Sequence, residues 1–140
     1  MRYLNRSLAG FLALVHFGLF LWAVVGFLEF HPDWHFTDIS NPLFGRSMLL
    51  WQWTIVLITS MAFLAGFFAR FSRLPETMAI LYGLLAITCT YQTFFILQHD
   101  ARFWQMALEF VEYAIILWIL FQMKWFQIWL GRITEEDLNS

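Results

Sequence analysis

A chain of 140 residues with 61% hydrophobic, 21% aromatic and 13% charged side chains carries about half the charge of an ordinary soluble domain, so composition alone excludes a soluble globule and predicts an integral membrane protein. A formal net charge of −2, with Lys124 as the one lysine and no basic cluster, excludes nucleic-acid binding as a main activity. The lone Cys89 can form neither an intramolecular disulfide nor a thiolate metal site.

The first apolar run covers residues 8–30, broken only by His16 and Glu29, and about 20 residues suffice to cross the hydrocarbon core. It follows Met1-Arg2-Tyr3-Leu4-Asn5-Arg6 as a signal peptide would. It is longer than a usual signal core, however, and no small-x-small cleavage site follows it, so it is expected to remain as a helix of the mature protein. The second run, 48–69, comes after the turn-rich Ser40-Asn41-Pro42-Leu43-Phe44-Gly45, with Ser47 placed to cap its first turn.

The third helix is predicted over 76–98. Pro75 suits a helix start, and Glu76 is favoured at the positive end of the helix dipole. Asp100 is placed to cap a fourth helix over 101–123. The apolar run continues to residue 130, and a straight helix of about 30 residues would measure roughly 45 Å, more than the hydrocarbon thickness. The chain is therefore expected to leave the membrane at Lys124 as an interfacial extension, with Trp125 and Trp129 at headgroup level. The tail, 131–140, is polar, with a capped turn expected at Thr134-Glu135-Glu136-Asp137.

Residues 1–140 thus read as a single membrane domain, a four-transmembrane-helix bundle of the all-α class. Four spans place both termini on one side, with Arg2, Arg6, Arg70, Arg73, Lys124 and Arg132 there against Arg46 and Arg102 on the other. The positive-inside rule then predicts cytoplasmic N and C termini, and the expected location is a bacterial inner membrane.

This topology sorts the polar residues by depth. His31 and His35 fall in the first outer loop and His99 in the second. Glu109 lies about six residues, roughly 9 Å, into the fourth helix, with Glu112 one turn deeper and Tyr113 adjacent. Gln92, Thr88 and Tyr91 from the third helix and Gln52 from the second lie at similar depth. The expectation is a polar nest in the outer half of the bundle, available to an ion or other ligand, because an ionisable residue inside the membrane is a functional candidate by default. The structural alternative is that a glutamate pairs with Arg102 or accepts from Tyr91 and the neighbouring threonines, locking the helices together.

His31 and His35 would align if Pro32 starts a short helix, and with His99 they would offer a nitrogen-rich metal site. His16 is a haem candidate only if a second copy or a partner supplies another axial histidine; the alternative is a neutral imidazole bonded across helices. Gly10, Gly18 and Gly26 recur every eight residues and are expected to allow close helix approach. The 17 phenylalanines and eight tryptophans fit lipid contact first, with quinone or carotenoid walls as an alternative. The cofactor, whether metal, haem or quinone, is not specified by any motif.

No P-loop, nucleophile elbow, paired-histidine metalloprotease motif or glycine-rich dinucleotide turn occurs, so an enzyme is the weaker expectation. The first expectation is an accessory or structural subunit of a larger inner-membrane complex (respiratory, photosynthetic or transport), its partners being lipid and other membrane subunits or identical chains. The second is a homo-oligomeric cation channel or carrier using the outer-half carboxylates. The third is a small metal- or haem-binding redox protein.

Overall fold

Long apolar runs without internal proline satisfy their backbone groups as helices, the solution a hydrocarbon environment demands. The computed structural model describes residues 2–134, with side chains from residue 6 onward, and among these there is helix and no strand. Four long helices follow in order, α1 (Arg2–Leu28), α2 (Arg46–Phe68), α3 (Leu74–Phe95) and α4 (Arg102–Gln122), then a short α5 (Lys124–Trp129). The four long helices each carry a segment long and apolar enough to cross a membrane, as expected of an integral membrane protein.

The helix ends differ from expectation by a few residues, and the caps explain why. α2 starts at Arg46 with Gly45 as its N-cap, so Ser47 lies inside the first turn and caps nothing. α3 does carry Pro75 and Glu76 in its first turn. It ends at Phe95 rather than residue 98, because the Ile96 and Leu97 amides both turn back to the Gln92 carbonyl. Ala101, not Asp100, is the N-cap of α4, with no side-chain bond.

The break expected at Lys124 falls at Met123, whose extended backbone (ψ 113°) ends α4 and starts α5. α5 then folds against the bundle: Phe126 and Leu130 are buried, and Trp129 Nε1 donates to the Phe67 carbonyl at 3.0 Å. Both turns at this end close in the same way. After α2, the Phe71 amide bonds Gly66 O and the Arg70 amide bonds Phe67 O; after α5, the Arg132 amide bonds Gln127 O and the Gly131 amide bonds Ile128 O. This 6→1, 5→2 pattern puts one residue in the left-handed region, Gly131 at φ 68° and, at a steric cost, Arg70 at φ 54°. The Arg70 guanidinium lies 4.1 Å from the Trp129 ring, and Arg132 forms a bidentate pair with Glu76 (2.7 and 2.9 Å). The capped turn expected from Thr134 onward lies, Thr134 apart, outside the described residues.

Among the described residues, the closest helix packing joins consecutive helices, and α5 reaches α2 through Phe126 and Trp129 against Phe67. The dense core occupies the half of the bundle nearer the chain ends: Leu12 of α1, Phe63 and Phe67 of α2, Leu74 and Met78 of α3, Leu120 of α4 and Phe126 of α5. At Gly26 of α1 the indole of Trp53 of α2 occupies the space that a Cβ would need. Gly10 and Gly18 face open space, so the expected glycine groove reduces to one contact, because an eight-residue spacing leads the three around the helix.

Candidate functional site

Away from the dense core, the four long helices diverge around a cavity of about 310 Å³. α1 contributes Val15, Leu19 and Trp22; α2 contributes Gln52, Ile55, Val56 and Thr59. α3 adds Tyr82, Leu85, Thr88, Cys89 and Gln92, and α4 adds Glu109, Glu112, Tyr113 and Ile116. The helical period produces this lining: 85, 88/89 and 92 repeat on one face of α3, as do 109, 112/113 and 116 on α4. The wall from α1 is apolar, and the polar groups come from α2, α3 and α4.

Their hydrogen bonds cross between helices. Gln92 Nε2 donates to Gln52 Oε1 at 3.0 Å, tying α3 to α2. Trp51 Nε1 donates to Thr88 Oγ1 at 2.8 Å, and the Thr88 hydroxyl donates in turn to the Leu84 carbonyl at 2.9 Å. The Tyr113 hydroxyl donates to Glu109 Oε2 at 3.1 Å within α4, while the Tyr113 ring stacks on Tyr82 of α3 (centroids 5.1 Å apart, planes 13° off parallel). Tyr82 in turn donates to His16 Nε2 at 2.5 Å.

No family model, curated protein or solved structure matches this chain. The geometry of the site therefore carries the functional reading by itself.

Six of the seven residues expected in the polar nest line this one cavity: Glu109, Glu112, Tyr113, Gln92, Thr88 and Gln52. Tyr91 does not. It is 52% exposed on the outside of the bundle against Phe95, because one residue from Gln92 is about 100° around the helix. The locks considered for the glutamates are also different. Arg102 donates to the Leu97 carbonyl at 2.9 Å and sits over the Phe103 ring, and no cation among the described residues pairs with either glutamate. Tyr113, not Tyr91, donates to Glu109. Glu112, the central residue of the 21-residue α4, is exposed and has no hydrogen-bond partner among the described residues.

The histidines divide. His16 is fully buried, stacked on Phe63 at 3.7 Å. Its Nδ1 lies 2.7 Å from the Leu12 carbonyl, which can only accept, so Nδ1 carries the proton and Nε2 accepts from Tyr82. Both nitrogens are engaged, and no lone pair faces a haem iron. Residues 29–33 form turns and a bend and 34–35 no regular element, rather than the helix expected after Pro32, so nothing aligns the exposed His31 and His35. Among the described residues no three His, Cys, Asp or Glu side chains converge, and His31, His35 and His99 form no common metal site.

Two further residues have structural roles that their sequence context does not mark. Tyr82 lies in an apolar run, with no signal beyond its hydroxyl. Glu29, one residue past α1, organises the long α1–α2 loop: its carboxylate accepts from the Ile39 amide (2.6 Å), the Ser40 amide (3.0 Å) and the Ser40 hydroxyl (2.5 Å). Burial disfavours its charge, but these bonds, with a further one from Thr37, outweigh it and hold the carboxyl below its ordinary pKa.

Proposed function

We propose that this chain is a cation-handling membrane protein, a homo-oligomeric carrier whose cavity holds the transported cation. One observation carries the reading: Glu109 and Glu112 face a cavity lined by all four long helices, and no cation among the described residues pairs with either of them. Carboxylates at such depth are costly to keep without a partner, so a site that lacks an internal one is suited to an external one. The packed core closes the cavity towards the chain ends, which favours a carrier over an open pore. Unbroken helices give one copy little with which to alternate access, hence the expected oligomer. With six of the eight Lys and Arg residues at the end bearing the termini, the cavity lies nearer the outer face of a bacterial inner membrane, termini in the cytoplasm.

The accessory-subunit reading is favoured by a different observation. α4 buries only Ile119 and Leu120 and leaves Trp104, Leu108, Val111, Ile115 and Trp118 exposed, a surface that fits a neighbouring helix as readily as lipid.

One experiment separates them. Native mass spectrometry of the gently solubilised protein gives copy number and co-purifying chains, and uptake of rubidium and quaternary ammonium ions into proteoliposomes gives activity. The carrier predicts a ring of identical chains and saturable uptake lost in Glu109→Gln/Glu112→Gln with the assembly intact. Foreign chains in fixed ratio, with uptake no faster than in protein-free vesicles, overturn it in favour of the subunit.

A further inference from the structure

We infer that the ligand of this cavity is a lipophilic organic cation, a substituted ammonium bearing an aromatic or aliphatic body. This rests on the cation-handling reading and names its substrate class. Three features of the lining select the chemistry.

The first is the balance of donors. A bare divalent ion needs six or more oxygen ligands, or a tight set of nitrogen and sulfur ligands, and among the described residues no three His, Cys, Asp or Glu side chains converge. Of the two amide oxygens at hand, Gln52 Oε1 already accepts from Gln92 Nε2, and Gln92 Oε1 adds one neutral oxygen at most. Two carboxylates three residues apart supply charge without a coordination shell, which suits a cation whose charge is shielded by carbon.

The second is the wall. Three aromatic rings, Trp22, Tyr82 and Tyr113, line the cavity together with the carboxylates. Aromatic faces attract quaternary ammonium groups electrostatically and do so more strongly when water is excluded. A hydrated alkali ion gains little from such a surface, whereas an ammonium with methyl groups meets it directly.

The third is the remainder of the volume. Val15, Leu19, Ile55, Val56, Leu85 and Ile116 form an apolar lining that a small ion leaves empty, and about 310 Å³ lies at the lower end of ordinary ligand pockets. An apolar body attached to the cation fills it and displaces water from carbon surface. Such molecules also concentrate in the membrane, from which a bundle with an exposed carboxylate at mid-helix is approached sideways as well as from its open end.

The test is equilibrium binding of tritiated benzyltrimethylammonium to the full chain in lipid nanodiscs. The expected result is saturable binding that weakens at least about tenfold in Glu109→Gln/Glu112→Gln, and by several-fold in Trp22→Leu, which leaves both carboxylates in place. Glu112→Gln alone, which neutralises a carboxylate that has no hydrogen-bond partner among the described residues, guards against misfolding of the double variant and should also weaken binding. Neopentylbenzene, the uncharged carbon isostere, should not compete; tetramethylammonium, lacking the apolar body, should compete weakly.

Binding equally strong in all variants overturns the proposal. So does displacement by rubidium at the concentration of the labelled ligand. Saturable binding without vesicle uptake overturns the carrier and upholds the ligand class. Rubidium uptake without benzyltrimethylammonium binding upholds the carrier and overturns the ligand class.

Discussion

The Tyr82 hydroxyl donates a 2.5 Å hydrogen bond to Nε2 of His16, joining α3 to α1 between the dense core and the cavity. α1 and α3 are not packed closely against each other, so this bond does across the bundle what side-chain packing does between consecutive helices. With the Leu12 carbonyl fixing the proton on Nδ1 of His16, the bond to Nε2 holds the Tyr82 ring where Tyr113 stacks upon it.

His16→Phe preserves a ring for stacking on Phe63 but orphans the Tyr82 hydroxyl, and Tyr82→Phe orphans Nε2. Each is expected to lower unfolding free energy in detergent by about 1 kcal/mol, the scale of interhelical hydrogen bonds in membranes. The double variant should lose less than the sum, since both changes remove one bond. Strict additivity in chemical denaturation would show that the two residues act separately.

Gly26 and Gly18 should respond in opposite directions to the same change. A methyl group at Gly26 collides with the rigid indole of Trp53, so Gly26→Ala is expected to cost about 1–3 kcal/mol as overpacking. A methyl group at Gly18 meets nothing, so Gly18→Ala should be neutral or stabilise by up to about 1 kcal/mol through helix propensity. Thermal melts of the two single variants decide the matter, and a destabilised Gly18→Ala protein would contradict the open face assigned to α1 there.

The helix number and most of the polar lining were legible because they depend on local pattern. Apolar runs of membrane length impose four helices whatever surrounds them, and three-to-four spacing puts Glu109, Glu112 and Tyr113 on one face without knowledge of the neighbours. What failed depends on tertiary partners. Ser47 and Asp100 are good caps by residue type, yet the chain enters α2 and α4 through Gly45 and Ala101. Tyr91 and Gln92 are equally polar in sequence, and only the placement of α2 and α4 decides which faces inward. The α1 wall of Val15, Leu19 and Trp22 carries no polar mark that would distinguish it from lipid-facing surface.

The order of the α1–α2 loop should depend on pH through Glu29. Its carboxyl has a pKa below the ordinary value in the folded state, so its contribution is fully present above the unfolded value and is lost as pH falls through the folded one. Protection of the Ile39 and Ser40 amides against hydrogen exchange, corrected for the intrinsic pH dependence, should therefore hold at neutral pH and fall away below the carboxylate range. Glu29→Ala should remove the protection at every pH. Amides that stay protected in that variant would assign the loop's order to other contacts.

Glu112 should show the opposite trade between stability and function. It occupies the centre of α4, exposed and without a partner among the described residues, in a segment otherwise apolar enough to span the membrane. A side chain retained there for packing would be stabilising, whereas one retained for a ligand carries a standing cost in the empty protein. Glu112→Leu is accordingly expected to raise unfolding free energy by about 2 kcal/mol, the order of the penalty for an ionisable group near mid-membrane, while weakening benzyltrimethylammonium binding. Saturating ligand should raise the melting temperature of the unaltered protein towards that of the variant and move the variant little, because a ligand stabilises only the state that binds it. A Glu112→Leu protein that melts lower than the parent would instead mean that the carboxylate has a structural partner in the membrane, and would move the role of α4 from ligand binding to assembly.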